Sequence, residues 1–125
     1  MHKSKLAGFI IDCKTNSPQD AAQFWGEALG MKVEKLPDEE GNKYVKLIDK
    51  NTNLHIEVQS VDHQSRVHLD IETDDINAEV KRLEKLGANI VDHVNSWCVM
   101  QAPTGQKFCV VRKGSAQFES QANEW

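Results

Sequence analysis

The chain has 125 residues, with 15 Lys and Arg against 19 Asp and Glu and a formal charge of −4. That length suits one domain, able to bury roughly two-thirds of its unfolded surface. A mildly acidic chain without a basic block argues against a nucleic-acid partner. No apolar run approaches the ~20 residues that a membrane span requires, and "MHKSKLAGFIIDC" meets Asp12 too early for a secretory leader. Three cysteines, Cys13, Cys98 and Cys109, are odd in number and lack metal-type spacing. They fit free thiols in a reducing cytoplasm better than a disulfide framework.

The first predicted element is an apolar strand, "GFIIDC" (Gly8–Cys13). A helix follows in "SPQDAAQFWGEALG". Ser17 suits the N-cap, Pro18 the first helical position and Asp20 the first turn. Ala22, Trp25 and Leu29 recur at helical spacing and Gly30 is a natural stop. Phe24 and Trp25 are expected in helix–sheet packing. Then come "MKVEKL", a turn at "PDEEGN", the strand "KYVKLID", a turn at "KNTN" and the strand "LHIEVQS".

The strand "RVHLDIE" opens a second series. A helix in "DDINAEVKRLEKLG" is capped by Asp74 or Asp75, buries Ile76, Val80 and Leu83, and stops at Gly87. Its "KRLEKLG" stretch reads as a solvated charged face. The strands "ANIVDHV", "SWCVMQA" and "QKFCVVRK" follow, with a turn at "PTG". The last twelve residues, "GSAQFESQANEW", are polar and aperiodic and read as a loose tail, pinned if at all by Phe118 or Trp125.

The two series superimpose. Asp12 to Gly30 spans 18 residues and Asp70 to Gly87 spans 17, "ALGMKV" lies over "KLGANI", and "NKYVKLI" lies over "NSWCVMQ". A period of about 57 residues over nearly the whole chain indicates an internal duplication. The expected fold is α+β. Two βαβββ halves, about 8–59 and 66–113, would form a curved mixed sheet around a groove, with helices on the outer face and a tail at 114–125.

The ordered set "AAQFWGEALGMKV", "RVHLDIETDDINAEVKRLEKLGA" and "MQAPTGQKFCVV" resembles the vicinal oxygen chelate superfamily, the glyoxalase/bleomycin resistance/dioxygenase fold. It is most similar to the glyoxalase-like branch. The resemblance implies a small-molecule ligand and a homodimer. It also implies a divalent metal (Zn, Ni, Fe or Mn), since imidazole and oxygen ligands suit these ions. Two of the family's four ligand positions carry over, His68 at the fifth strand and Glu57 at the fourth. The first-strand position falls at Gly8 to Ile10, which offer no donor, and the last falls at Cys109, where the family's metal enzymes have Glu. That departure argues against standard glyoxalase I chemistry. An enzyme of lyase or isomerase type, using His68 and Glu57 as metal ligands and catalytic residues, is one expectation. A metal-free sequestering protein of the bleomycin-resistance type is the other.

Each site residue has a plainer reading too. Arg66, His68 and Asp70 share one face of an alternating strand, either as a wet ion-pair strip or as ligand-binding groups. His55 and Glu57 share a face in the same way. Trp97 is a wall of the ligand pocket or simple packing. Cys109, like Cys98, is a ligand-binding group or an inert core thiol.

Overall fold

Strand β1 (Lys3–Lys14) leads into helix α1 (Pro18–Leu29), followed by β2 (Lys32–Lys35), β3 (Tyr44–Ile48) and β4 (His55–Val61). The series then repeats as β5 (Arg66–Thr73), α2 (Ile76–Lys85), β6 (Asn89–Val94), β7 (Trp97–Gln101) and β8 (Lys107–Arg112). A short helix α3 (Phe118–Gln121) and strand β9 (Asn123–Glu124) complete the chain. This computed structural model describes residues 1–94 and 96–125, so Asn95 in the aligned "NSWCVMQ" lies outside the described residues. The expected α+β class and the doubled βαβββ order are present. Among the described residues no helix is long and apolar enough to cross a membrane.

The chain folds as two compact units. One, Phe9–Val67, carries the strand order β2-β3-β4-β1, with β2–β3 and β3–β4 antiparallel. Its core is Ile11, Ala22, Val45, Leu47, Ile56 and Val58, with Trp25 and Val33 packed against them. Helix α1 begins as expected. The Ser17 hydroxyl accepts from the Asp20 N–H at 3.3 Å, and Pro18 occupies the first turn. It ends at Gly30, which takes the left-handed conformation at φ 71°, open to glycine at little cost.

Phe24 corrects the expectation of helix–sheet packing. It is 61% exposed, whereas Trp25 is half-buried and holds Phe24 edge-on at 5.0 Å. Adjacent helical positions point about 100° apart, so only one of the pair can face the sheet. The place where α1 meets β2 is set by Gly26. A Cβ there would lie 2.7 Å from Val33 Cγ2 and 3.0 Å from the Met31 carbonyl oxygen. Alanine is the better helix former by about 1 kcal/mol, but Val33 is stiff and the carbonyl belongs to the backbone. Gly26→Ala is therefore expected to destabilise by about 1–2 kcal/mol, the usual scale of overpacking. Urea denaturation measures it, against Ala28→Gly as the pure propensity control.

The other unit comprises Met1–Gly8 and His68–Trp125. Its strand order is β1-β5-β8-β7-β6, with β9 on β1. Strands β5 and β8 run parallel, while β8–β7 and β7–β6 are antiparallel, with a bulge between Ile90 and Asp92. Helix α2 is capped by Asp75, whose Oδ1 accepts from the Ala78 N–H at 3.0 Å. It buries Val80 and Leu83 against Ala88, Cys98, Met100 and Val110, with Ile76 beside them.

The C-terminal segment is tied down at both residues the sequence offered. Phe118 is 2% exposed. Trp125 stacks 3.8 Å over the Arg82 guanidinium, and its indole N–H donates to Ser4 Oγ at 2.8 Å. Between them, β9 pairs with β1 (Lys3↔Glu124, Ser4↔Asn123). A short polar segment has no hydrophobic period to announce this. Two aromatic anchors and one antiparallel register suffice.

Candidate functional site

Strand β5 reverses the usual relation of polarity to burial. Its aliphatic residues Val67 and Leu69 are 60% and 52% exposed, while Asp70 and Glu72 are 8% and 2% exposed and His68 is half-buried. Burying charge is costly unless each group is paired. Glu72 is fully served: Oε1 accepts from the backbone N–H groups of Gly114 and Ser115 and from Ser115 Oγ, each at 3.1 Å, and Lys5 Nζ lies 3.7 Å from Oε2.

Asp70 is served less well. Its Oδ1 is cut off from solvent and accepts no hydrogen bond among the described residues, with His68 Nε2 at 3.5 Å. The parallel register sets Asp70 opposite Cys109, and the antiparallel register sets Cys109 opposite Val99. Donor atoms of His68, Asp70 and Cys109 accordingly lie within 4.8 Å of one another. Among the described residues this is the group of three or more His, Cys, Asp or Glu side chains close enough to share a metal ion. The donor set fits such an ion. A thiol and an imidazole suit zinc, a buried carboxylate oxygen lacking a donor suits any divalent cation, and three protein ligands leave a position open.

The remaining sequence-predicted residues lie as follows. Glu57 is on β4 of the other unit, its Oε1 3.3 Å from His55 Nε2. Arg66 Nε lies 3.6 Å from the buried Asp12 Oδ2, and its Nη2 lies 3.4 Å from His63 Nε2. Trp97 is half-buried on β7 and lines a cavity beside α2. Cys98 points away from Cys109, into the α2 core. Burial pushes its thiol above the ordinary range, and the nearby Cys109, Glu84 and Asp92 add to the shift. That is the profile of an inert thiol.

The sequence reading missed Glu79. It is fully buried on α2, and Arg82 grips both its oxygens at 2.8 Å. His2 Nε2 adds a contact at 2.8 Å to Oε1. Arg82, within the stretch read as a solvated face, is thus drawn inward. The i,i+3 acid–base spacing was the one signal available for this pair.

These features define a class, the vicinal oxygen chelate fold. Three solved structures share it at identities that speak for the fold alone. A hypothetical protein of Bacillus halodurans C-125 is 13% identical over 89% of this chain and 95% of its own, with TM-score 0.63. Methylmalonyl-CoA epimerase from Mycobacterium tuberculosis is 15% identical over 87% of each chain, with TM-score 0.62. A glyoxalase/bleomycin resistance protein/dioxygenase superfamily member from Vibrio splendidus 12B01 is 15% identical over 87% of this chain and 100% of its own, with TM-score 0.55. No curated protein matches. The model of the glyoxalase-like domain matches residues 8–111, and the chain belongs to that family.

Proposed function

We propose that the chain binds a small oxygen-bearing metabolite at His68, Asp70 and Cys109 and acts on it as a lyase or isomerase. The observation that carries this reading is that donor atoms of three side chains lie within 4.8 Å of one another, with the buried Asp70 Oδ1 accepting no hydrogen bond among the described residues. An unserved buried acceptor costs stability, and such costs concentrate where function requires them. The three side chains would hold a divalent metal, zinc first because of the thiol, and bound there it would polarise a substrate carbonyl as a Lewis acid.

The chain's own groups supply the rest. The Asp70 carboxylate lies 3.5 Å from His68 Nε2, near enough to bear on how the ring is oriented. Where no metal occupies it, the neutral imidazole could take a proton from the carbon beside a carbonyl and return it, the step an isomerase needs. Cohesion of the exposed Val67 and Leu69 with a second copy would fit a homodimer, which the family also suggests.

One observation favours a second reading, sequestration without turnover. The first-strand position of the family's metal set is occupied by Gly8, Phe9 and Ile10, none of which has a side-chain donor. Elemental analysis of protein purified without added metal separates the two. Stoichiometric zinc, lost in His68→Ala, is the expected result. Absence of metal together with thermal stabilisation by an aromatic ligand would establish the sequestering protein instead.

A further inference from the structure

The sheet face that carries the donor cluster is apolar where its counterpart in the first half is polar. Strands β3 and β4 alternate in the ordinary way. Val45, Leu47, Ile56 and Val58 enter the α1 core, and Tyr44, Lys46, Glu57 and Gln59 occupy the other face. That is the pattern of a sheet with one face in water. Strands β7 and β8 do not alternate. Cys98, Met100 and Val110 enter the α2 core, yet Val99 and Val111 occupy the other face, with Trp97 at its end. In the repeat, Val99 stands where the first half has Lys46.

The register ties this apolar face to the cluster. Residues opposite one another in neighbouring strands project to the same side, and so do residues two apart in one strand. Asp70 lies opposite Cys109, and Cys109 opposite Val99. Glu72 lies opposite Val111, and Trp97 shares the side of Val99. Val99 is thus one strand spacing from Cys109, ~4.8 Å, and Val111 one same-side step, ~7 Å. All three apolar residues are half-buried, so part of each stays accessible. The charges on this side stand apart from them. Glu72 is taken up by Gly114 and Ser115, Asp92 is exposed on the edge strand β6, and Lys107 is exposed beside Gln101 on the far side of Cys109. The face therefore runs from polar, through the donors, to apolar.

We infer that Val99, Val111 and Trp97 set the specificity of the site proposed above, and that its substrate carries a flat, uncharged apolar body on the carbon next to its oxygens. The inference rests on that functional reading for the placement of the oxygens. With a carbonyl at His68, Asp70 and Cys109, a directly attached aromatic ring spans the distance to Val99 and Val111, and a methyl group does not. Asp92 beyond Val99 opposes a second carboxylate at the outer end of the body.

2-Hydroxyacetophenone and hydroxyacetone present the same ketone and hydroxyl oxygens and differ only in phenyl against methyl. Both are titrated by calorimetry into the full chain with one equivalent of zinc. The phenyl compound is expected to bind at least about ten-fold more tightly, as burial of the added ring surface requires. Val99→Thr and Val111→Thr keep side-chain shape and strand preference but set a hydroxyl under the ring. Each should weaken the phenyl compound by about five-fold or more and leave hydroxyacetone unchanged. Trp97→Phe should abolish the quenching of tryptophan fluorescence by the phenyl compound. His68→Ala should weaken both compounds alike. A phenyl preference that persists there without loss of affinity would strike the oxygen site and leave the apolar surface standing, so the two failures are read separately. Equal affinity of the two compounds, no saturable binding of the phenyl compound at millimolar concentration, a phenyl preference unchanged in both threonine variants, or quenching that survives Trp97→Phe would each overturn the inference.

Discussion

Glu79→Ala is expected to destabilise the chain by about 3 kcal/mol, near the low end for breaking a buried ion pair. For a chain of this size that is on the order of 10 °C in melting temperature. The low end applies because Arg82 keeps 24% of its side chain in water and can partly recover its hydration, while Glu79 keeps none. Arg82 also supports Trp125, so its release loosens the C-terminal pairing of β9 with β1.

The same residue sets a pH dependence. Burial pushes the Glu79 carboxyl up, but hydrogen bonds from Arg82, His2 and Ser4 outweigh it and hold the group below the usual carboxylate range. A depressed folded-state pKa contributes stability above the unfolded value and loses it as pH falls through the folded value. Glu79→Gln should therefore be markedly less stable than the native chain at neutral pH. The gap should narrow once the pH drops below about 4, where the unfolded carboxyl is protonated. Urea denaturation at neutral and acid pH measures that difference, and a gap that widens in acid would contradict the sign.

Cys109→Ser should lower zinc affinity by at least a hundred-fold while moving the metal-free stability by less than about 1 kcal/mol. The large effect follows from ligand chemistry, because a thiolate is a far better zinc ligand than a hydroxyl and outer-shell changes alone cost about 10–100-fold. The small one follows from geometry, because Ser is nearly isosteric and Cys109 is only half-buried. Competition against a chromophoric chelator gives the affinity, and thermal unfolding of the metal-free protein gives the control. Equal zinc affinity in both would remove Cys109 from the site.

Much of the local structure was legible because its signals are local. Ser17, Pro18 and Gly30 bound α1, Asp75 and Gly87 bound α2, and the repeat between Asp12–Gly30 and Asp70–Gly87 gave the doubled βαβββ order. The alternation in "RVHLDIE" separated two faces but could not say which one is covered. Polarity would put the aliphatic face inside, whereas the β5 partners bury the acids and leave Val67 and Leu69 exposed. The bond network of Glu72 with Gly114 and Ser115 joins residues more than 40 apart, and no spacing rule reaches that far. Asp70 and Cys109 meet through a parallel strand register that the sequence does not print. Arg66 finds a partner in Asp12 of β1, a pairing between strands that alternation within one strand does not encode.

The most direct test of the site is cobalt(II) titration of the metal-free protein, followed by absorption. Cobalt enters zinc sites and shows a thiolate charge-transfer band only when sulfur is a ligand. The expected result is a saturable band in the native chain, absent in Cys109→Ser and strongly weakened in His68→Ala and Asp70→Asn. A native chain without the band, or a band that survives Cys109→Ser, would show that His68, Asp70 and Cys109 do not act as one site.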